Sequence, residues 1–181
     1  MGKPEEPGPA KLFMSLIALE DDIFHRGMEQ LRLNFGEMDF ISERFPFNFT
    51  DYYTREMGEP LFRHFVTFRS LISMATLPDI KGWTNGLEEG HVRPDGNRRI
   101  NIDPGYLCLA HIVLATTKGY SHRPYLREGI YADLTLIYRD RSFQPLEWTY
   151  PDYRQKEVIG FFNQIRKRFL EDQRRKEIRP C

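Results

Sequence analysis

A single α+β domain, with a mixed or antiparallel sheet and helices packed on it, is the fold class this sequence predicts. Three observations carry that expectation. The chain has 181 residues, enough for one hydrophobic core and hardly for two. Hydrophobic residues make up 40% and aromatic ones 14%, which excludes a disordered chain. Apolar residues also switch along the chain between continuous or alternating runs, which suit strands, and spacings of three and four, which suit helices.

In chain order, residues 1–10 are rich in Pro and Gly and read as a flexible lead-in, with the domain proper at 11–181. "KLFMSLIAL" (11–19) is continuously apolar, as a central strand would be. In the next segment Ile23, Phe24, Met28, Leu31 and Phe35 recur at helical spacing, acidic residues open it and Gly36 closes it. "MDFISERFPF" predicts one strand stopped by Pro46, and "NFTDYYTREMGEP" a short helix capped by Thr50 or Asp51 and ended by Gly58.

"LFRHFVTFRSLI" alternates as a strand, and a helix follows near Pro78, weakened by Gly82 and Gly86. Asp95-Gly96 marks a turn before a strand through Ile102. Asp103-Pro104-Gly105 reads as a tight turn that starts a buried helix, "LCLAHIVLATT". Residues 130–137 alternate, 139–142 turn, and "SFQPL" returns as a hairpin. Val158, Phe161, Phe162, Ile165 and Phe169 then form the stripe of a basic amphipathic C-terminal helix. The simplest topology for these elements is a split β-α-β, ferredoxin-like arrangement.

Charge excludes some partners and suggests others. The 26 basic and 26 acidic residues give no global field for nucleic acid. Residues 1–60 hold 12 acidic and 6 basic side chains, so the later part of the chain is the better place for an anionic ligand. Cys108 and Cys181 make no disulfide framework, and the five histidines show no metal-ligand spacing. No apolar stretch approaches the roughly 20 residues of a membrane span, and the first residues lack the apolar core of a secretory signal. A cytoplasmic protein without a membrane partner is therefore expected.

The chemistry-bearing candidates cluster after residue 98. "ATTKGYSHR" gathers Thr116, Thr117, Lys118, Ser121, His122 and Arg123 around Gly119, the composition of an anion-binding loop. His122 is the acid or base by type, because its ordinary pKa lies nearest neutrality. Asp103 is the second catalytic candidate, as a helix cap beside free N–H groups or, with Asp133, as a carboxylate that could assist Mg²⁺. Arg99 would add a cation. Tyr125, Trp148, Asp152 and Tyr153, like Asp51 and Tyr52, mix apolar rings with polar handles suited to lining a groove.

The bland alternatives are a capping Asp, a solvated turn and ordinary aromatic packing. If residues 107–117 are helical they span roughly 16 Å, so the Asp103 turn and the loop would lie far apart; the loop is then the favoured site, with "WTYPDY" as its wall. "FRHFVTF" does not make a two-histidine phosphoesterase motif: His64 and Thr67 are an odd number of positions apart, on opposite strand faces, and no second copy occurs.

Four blocks, "PAKLFMSLI", "FPFNFTDYYTREMG", "RRINIDPGYLCLAHIVLATTKGYSHRPYLREGIYADLTLIYR" and "FQPLEWTYPDYR", fall in an order that resembles the bacterial and archaeal family called domain of unknown function 4416. The likeness runs from about Lys11 to Phe169. It implies one cytoplasmic domain and brings no established reaction, cofactor or catalytic residue. Some members carry a GTP-binding label, but the Gly-x-x-x-x-Gly-Lys-Ser/Thr loop and the Asn-Lys-x-Asp base-reading signature are both absent here. Three functions are left open: an enzyme or binding domain for a phosphorylated or nucleotide-like ligand, a non-catalytic module for RNA or protein, and a structural subunit with no site.

Overall fold

The computed structural model describes residues 2–176. Its strands are β1 (Ala10–Ala18), β2 (Met38–Ile41), β3 (Phe45–Phe47), β4 (Leu61–Ile72), β5 (Ile100–Leu107), β6 (His111–Thr116), β7 (Tyr125–Arg127), β8 (Ile130–Arg139) and β9 (Ser142–Pro145). Its helices are α1 (Asp21–Phe35), α2 (Thr54–Met57), α3 (Leu77–Glu89) and α4 (Lys156–Lys176). One antiparallel sheet runs β2-β4-β1-β5-β6-β8-β7, with β3 also on β4 and β9 on β8.

The split β-α-β expectation holds twice. β1 and β2 both run antiparallel to β4, which lies between them, and α1 connects them. β4 and β5 both run antiparallel to β1, which lies between them, and α3 connects them. The order β2-β4-β1-β5 is therefore a ferredoxin-like core, and β6 to β9 extend it.

β1 is buried along its whole length because helices cover both sheet faces. Leu12, Met14 and Leu16 pack with Ile23 and Leu31 of α1 and Ile80 of α3. On the opposite face Phe13, Phe65 and Leu114 pack under Val158, Phe162, Ile165 and Phe169 of α4, the stripe read from the sequence. Fully burying such side chains is worth about 1.5–3 kcal/mol each. Gly36 ends α1 at φ 88°, a left-handed conformation that suits glycine, with its N–H bonded to the Arg32 carbonyl. The β8–β9 turn places Asp140 and Arg141 at positive φ (52° and 65°), as a two-residue hairpin turn requires.

Several sequence expectations change. "MDFISERFPF" forms two short strands laid end to end along β4, and Pro46 lies inside β3, an edge position where a missing N–H is tolerated. Neither Thr50 nor Asp51 caps α2; the Thr50 hydroxyl instead accepts from the Tyr52 N–H. The largest correction is at "NIDPGYLCLAHIVLATT". It is the β5–β6 hairpin, with no helix and no turn at Asp103. Ile112–Ala115 is buried on both faces, so the alternation that identifies a strand is erased there.

Residues 2–9 hold no helix or strand, although Gly8 is already buried beside β1. Of the basic residues of α4, Arg166 donates to the Leu109 carbonyl and lies 3.3 Å over the Tyr138 ring. Arg168 lies over Phe40, while Arg174 and Arg175 are exposed. Arg179 and Cys181 lie outside the described residues. Among the described residues no helix is long and apolar enough to cross a membrane.

Candidate functional site

The site begins where a ladder stops. β1 pairs with β5 from Lys11–Leu107 to Ala18–Ile100, but β5 pairs with β6 only between Gly105–Leu107 and Ile112–Leu114. Continued by one step, that register sets Pro104 against Ala115. Proline has no N–H to give the next ladder bond, and beyond it the two strands part. Gly105 holds the last closed step. A Cβ there would stand 2.6 Å from both Phe13 Cζ and the Val113 carbonyl oxygen, so only glycine lets the strands approach.

Across the gap α3 supplies what β6 does not. The Glu88 carboxylate accepts the Ile102 N–H at 2.7 Å, and the Lys81 ammonium donates to the Ile102 carbonyl at 2.9 Å. Seven residues apart, the two side chains share one helix face. They satisfy both main-chain groups of a buried residue, which would otherwise cost about 1–3 kcal/mol each. Lys81 also reaches Asp103 at 3.2 Å, and Glu88 takes Arg98 at 2.7 Å. Arg98 forks onto both oxygens of Glu56 (2.7 and 2.8 Å). Asn101, in turn, donates to Asp103 at 2.7 Å.

This network splits two carboxylates. Burial pushes Glu88 above the usual range and the Asp103 charge adds to the effect, with Lys81 opposing it. Asp103 is also opposed by burial, yet the Lys81 and Arg63 cations outweigh it and hold its carboxyl below the usual range. Enclosed by protein on most sides, Asp103 keeps 28% of its side chain exposed, toward the gap. Burial raises the Tyr53 and Tyr153 phenols well above their ordinary value, so both are neutral donors at physiological pH.

The opposite wall is the 116–123 loop. Arg123 pins it with three bonds: to Asp133 at 2.8 Å, to the Lys118 carbonyl at 3.1 Å and to the Tyr150 hydroxyl at 2.6 Å. Lys118 Nζ stands 3.9 Å over the Tyr52 ring. On the floor Arg63 and Asp152 form a buried ion pair beside Tyr153. The half-open cleft has a volume of about 340 Å³, at the small end of the range for ligand sites.

Asp103, Thr117, Lys118 and Tyr153 thus line one cleft, together with Tyr52, Thr116 and Asp133. The separation expected from a helix does not exist, because antiparallel β5 and β6 return the chain to its starting end. Arg123 and Asp152 stand one contact behind the wall. His122 lies outside, stacked on Trp148 at 4.9 Å, with its Nε2 3.8 Å from Asp133. Ser121 lines a shallow depression with these two rings. Tyr125 sits on the edge strand β7 against Tyr131, and Arg99 pairs with Glu20 and Asp22. Asp51 lines a separate groove beside Pro46 and Phe47.

Sequence reasoning missed Arg63, Lys81, Glu88, Arg98, Asn101 and Tyr53, all in the lining, whereas Tyr150 belongs to the "WTYPDY" wall it expected. One signal was present: Asn101 and Asp103 alternate with Ile100 and Ile102, which marks a polar strand face. As for Mg²⁺, no group of three or more His, Cys, Asp or Glu side chains among the described residues is placed to hold a metal. Asp103 and Asp133 each bind a cationic side chain instead.

A family model described as a domain of unknown function (DUF4416) matches residues 8–169. No curated protein and no solved structure matches the chain.

Proposed function

We propose, for this chain, which belongs to the DUF4416 family, that the cleft between β5 and β6 binds a small phosphorylated or nucleotide-like compound. One observation carries the reading. Of the cations that line the cleft, Arg63, Lys81 and Arg98 each face a carboxylate, and among the described residues only Lys118 does not. Its ammonium stands on the rim over the Tyr52 face, beside the Thr116 and Thr117 side chains, where an anionic group can reach it. Tyr52, Tyr53 and Tyr150 give the cleft apolar walls with polar tips. Within this reading Asp103, ionised and open to the cleft, is the carboxylate that accepts a hydrogen bond from the ligand.

Thermal unfolding with nucleotides and sugar phosphates, with and without Mg²⁺, tests the proposal. A ligand at a hundred times its Kd adds roughly 2.7 kcal/mol of stability, and Lys118→Ala should remove that gain. The absence of any shift with every phosphorylated compound would end it.

The second reading, an RNA or protein partner, draws on the exposed rings of Tyr120, Tyr125 and Trp148 and on Arg174 and Arg175. It requires salt-sensitive association that Arg174→Glu with Arg175→Glu weakens and Lys118→Ala does not.

A further inference from the structure

The inner end of the cleft differs from its rim in what it leaves unsatisfied. Arg63 and Tyr153 are 6% and 2% exposed, and both belong to the lining. Neither Arg63 Nε nor the Tyr153 hydroxyl has a hydrogen-bond partner, and the fully buried Ser15 hydroxyl has none either. The three are close neighbours. Ser15 and Arg63 lie on one sheet face, and the Arg63 guanidinium stands 5.2 Å from the Tyr153 ring centroid; burial raises the Tyr153 phenol, and weak contacts with Ser15 and Arg63 only partly oppose it. Asp103 lies directly across the ladder from Ser15. Buried donors without acceptors are rare, because each costs about 1–3 kcal/mol, so a cluster of them beside a cavity marks where a ligand atom sits.

The charges there say what kind of atom it is. Arg63 faces Asp152, and Lys81 faces Asp103 and Glu88, so a second anion would gain little and would meet two carboxylates. A hydroxyl fits better, since it accepts from Arg63 or Tyr153 and donates to Asp103. We infer that the inner end of the cleft is a subsite for the hydroxyls of a sugar or polyol, so that the ligand class of the whole cleft is a phosphorylated sugar with its phosphate at Lys118. This rests on the phosphate reading above and narrows it.

The test is calorimetric titration of the full chain with inorganic phosphate, phenyl phosphate, ribose phosphate and glucose phosphate. Phenyl phosphate carries the anion and a ring but no sugar hydroxyl. At least one sugar phosphate should bind about tenfold tighter than phenyl phosphate. Tyr153→Phe, which removes one oxygen and keeps the packing, should weaken the sugar phosphate about fivefold and leave phenyl phosphate unchanged. Ser15→Ala should act in the same direction, and Lys118→Ala should weaken every phosphorylated probe. Equal affinity for phenyl and sugar phosphates would overturn the subsite while sparing the phosphate reading. The subsite falls in the same way if Tyr153→Phe lowers both affinities alike. Binding of none of the four probes would overturn both.

Discussion

The two sides of β5 solve the same problem in opposite ways. Toward β1 the strand has an unbroken ladder, and on the face under α1 and α3 its side chains, among them Leu12, Met14, Leu16 and Ile102, are apolar and buried. Toward β6 the ladder ends after Leu107, Tyr106 and Gly105, and the main chain of Ile102 is completed by a lysine and a glutamate from α3. A closed ladder frees the side chains to be hydrocarbon. An open one must recruit charged groups, these recruit counter-charges, and the gap they keep open is the cleft. Polarity at the site thus follows from a backbone requirement before any ligand is considered.

The largest effect that can break this comparison is Lys81→Met. It leaves the Ile102 carbonyl, Asp103 and Glu88 without their shared cation, and should cost about 3–5 kcal/mol in urea unfolding. Leu16→Ala on the closed side should cost a similar amount, about 2–5 kcal/mol, by leaving a cavity. The two losses differ in kind. Adding Asp103→Asn to Lys81→Met removes an uncompensated charge and should recover part of the loss, with a coupling of about 0.5–3 kcal/mol. Adding Asp103→Asn to Leu16→Ala should recover nothing. If neither double variant shows coupling, charge has not replaced hydrogen bonding in the gap.

Next in size is Gly105→Ala, at the step where the two regimes meet. The new methyl would press on a main-chain oxygen of β6 as well as on the Phe13 ring, and main chain cannot yield as a side-chain tip can. A loss of about 3 kcal/mol is expected, at the upper end of overpacking costs. Exchange of the Leu107, Ile112 and Leu114 amides should rise with it. A stability change below about 0.5 kcal/mol would mean that Gly105 does not hold the last closed step.

The closed side was legible in the sequence, and the open side only in part. β1, α1, β4, α3, the β8–β9 hairpin and the α4 stripe all show a period or a buried run that one chain segment carries by itself. Asp103-Pro104-Gly105 did announce an interruption. Its kind was misread, because a proline that ends a ladder and one that starts a helix have the same local signature. Two later consequences depend on that choice: whether Asp103 and Lys118 meet, and whether α3 faces a gap. Lys81 and Glu88 were invisible for a related reason. Their seven-residue spacing is that of any solvated helix face, and only the missing partner strand makes it a pair of surrogate backbone contacts. Arg123 was visible as a cation, but its bond to Asp133 needed the β6–β8 register, which no single segment encodes.

The smallest predicted effect is the most discriminating, because Glu88 and Asp103 should respond to pH with opposite sign. Asp103 has a folded pKa below its ordinary 3.8, so its contribution is present above that value and is lost as pH falls through the lower, folded value. Glu88 has a folded pKa above its ordinary 4.5, so its contribution is complete below that value and is lost as pH rises through the higher, folded one. Asp103→Asn should therefore cost about 1.5 kcal/mol at neutral pH, where bonds to a charged acceptor disappear, and progressively less below pH 3.8. Glu88→Gln should do the reverse: it compares best with the parent protein near neutrality and worst as pH falls toward 4.5, where the parent gains by taking up a proton. Urea unfolding of the three proteins between about pH 3 and pH 7 reads both trends. Parallel curves for the two variants would mean that the carboxylates share one environment. The contrast between a cleft-facing carboxyl held below the usual range and a buried one pushed above it would then be gone.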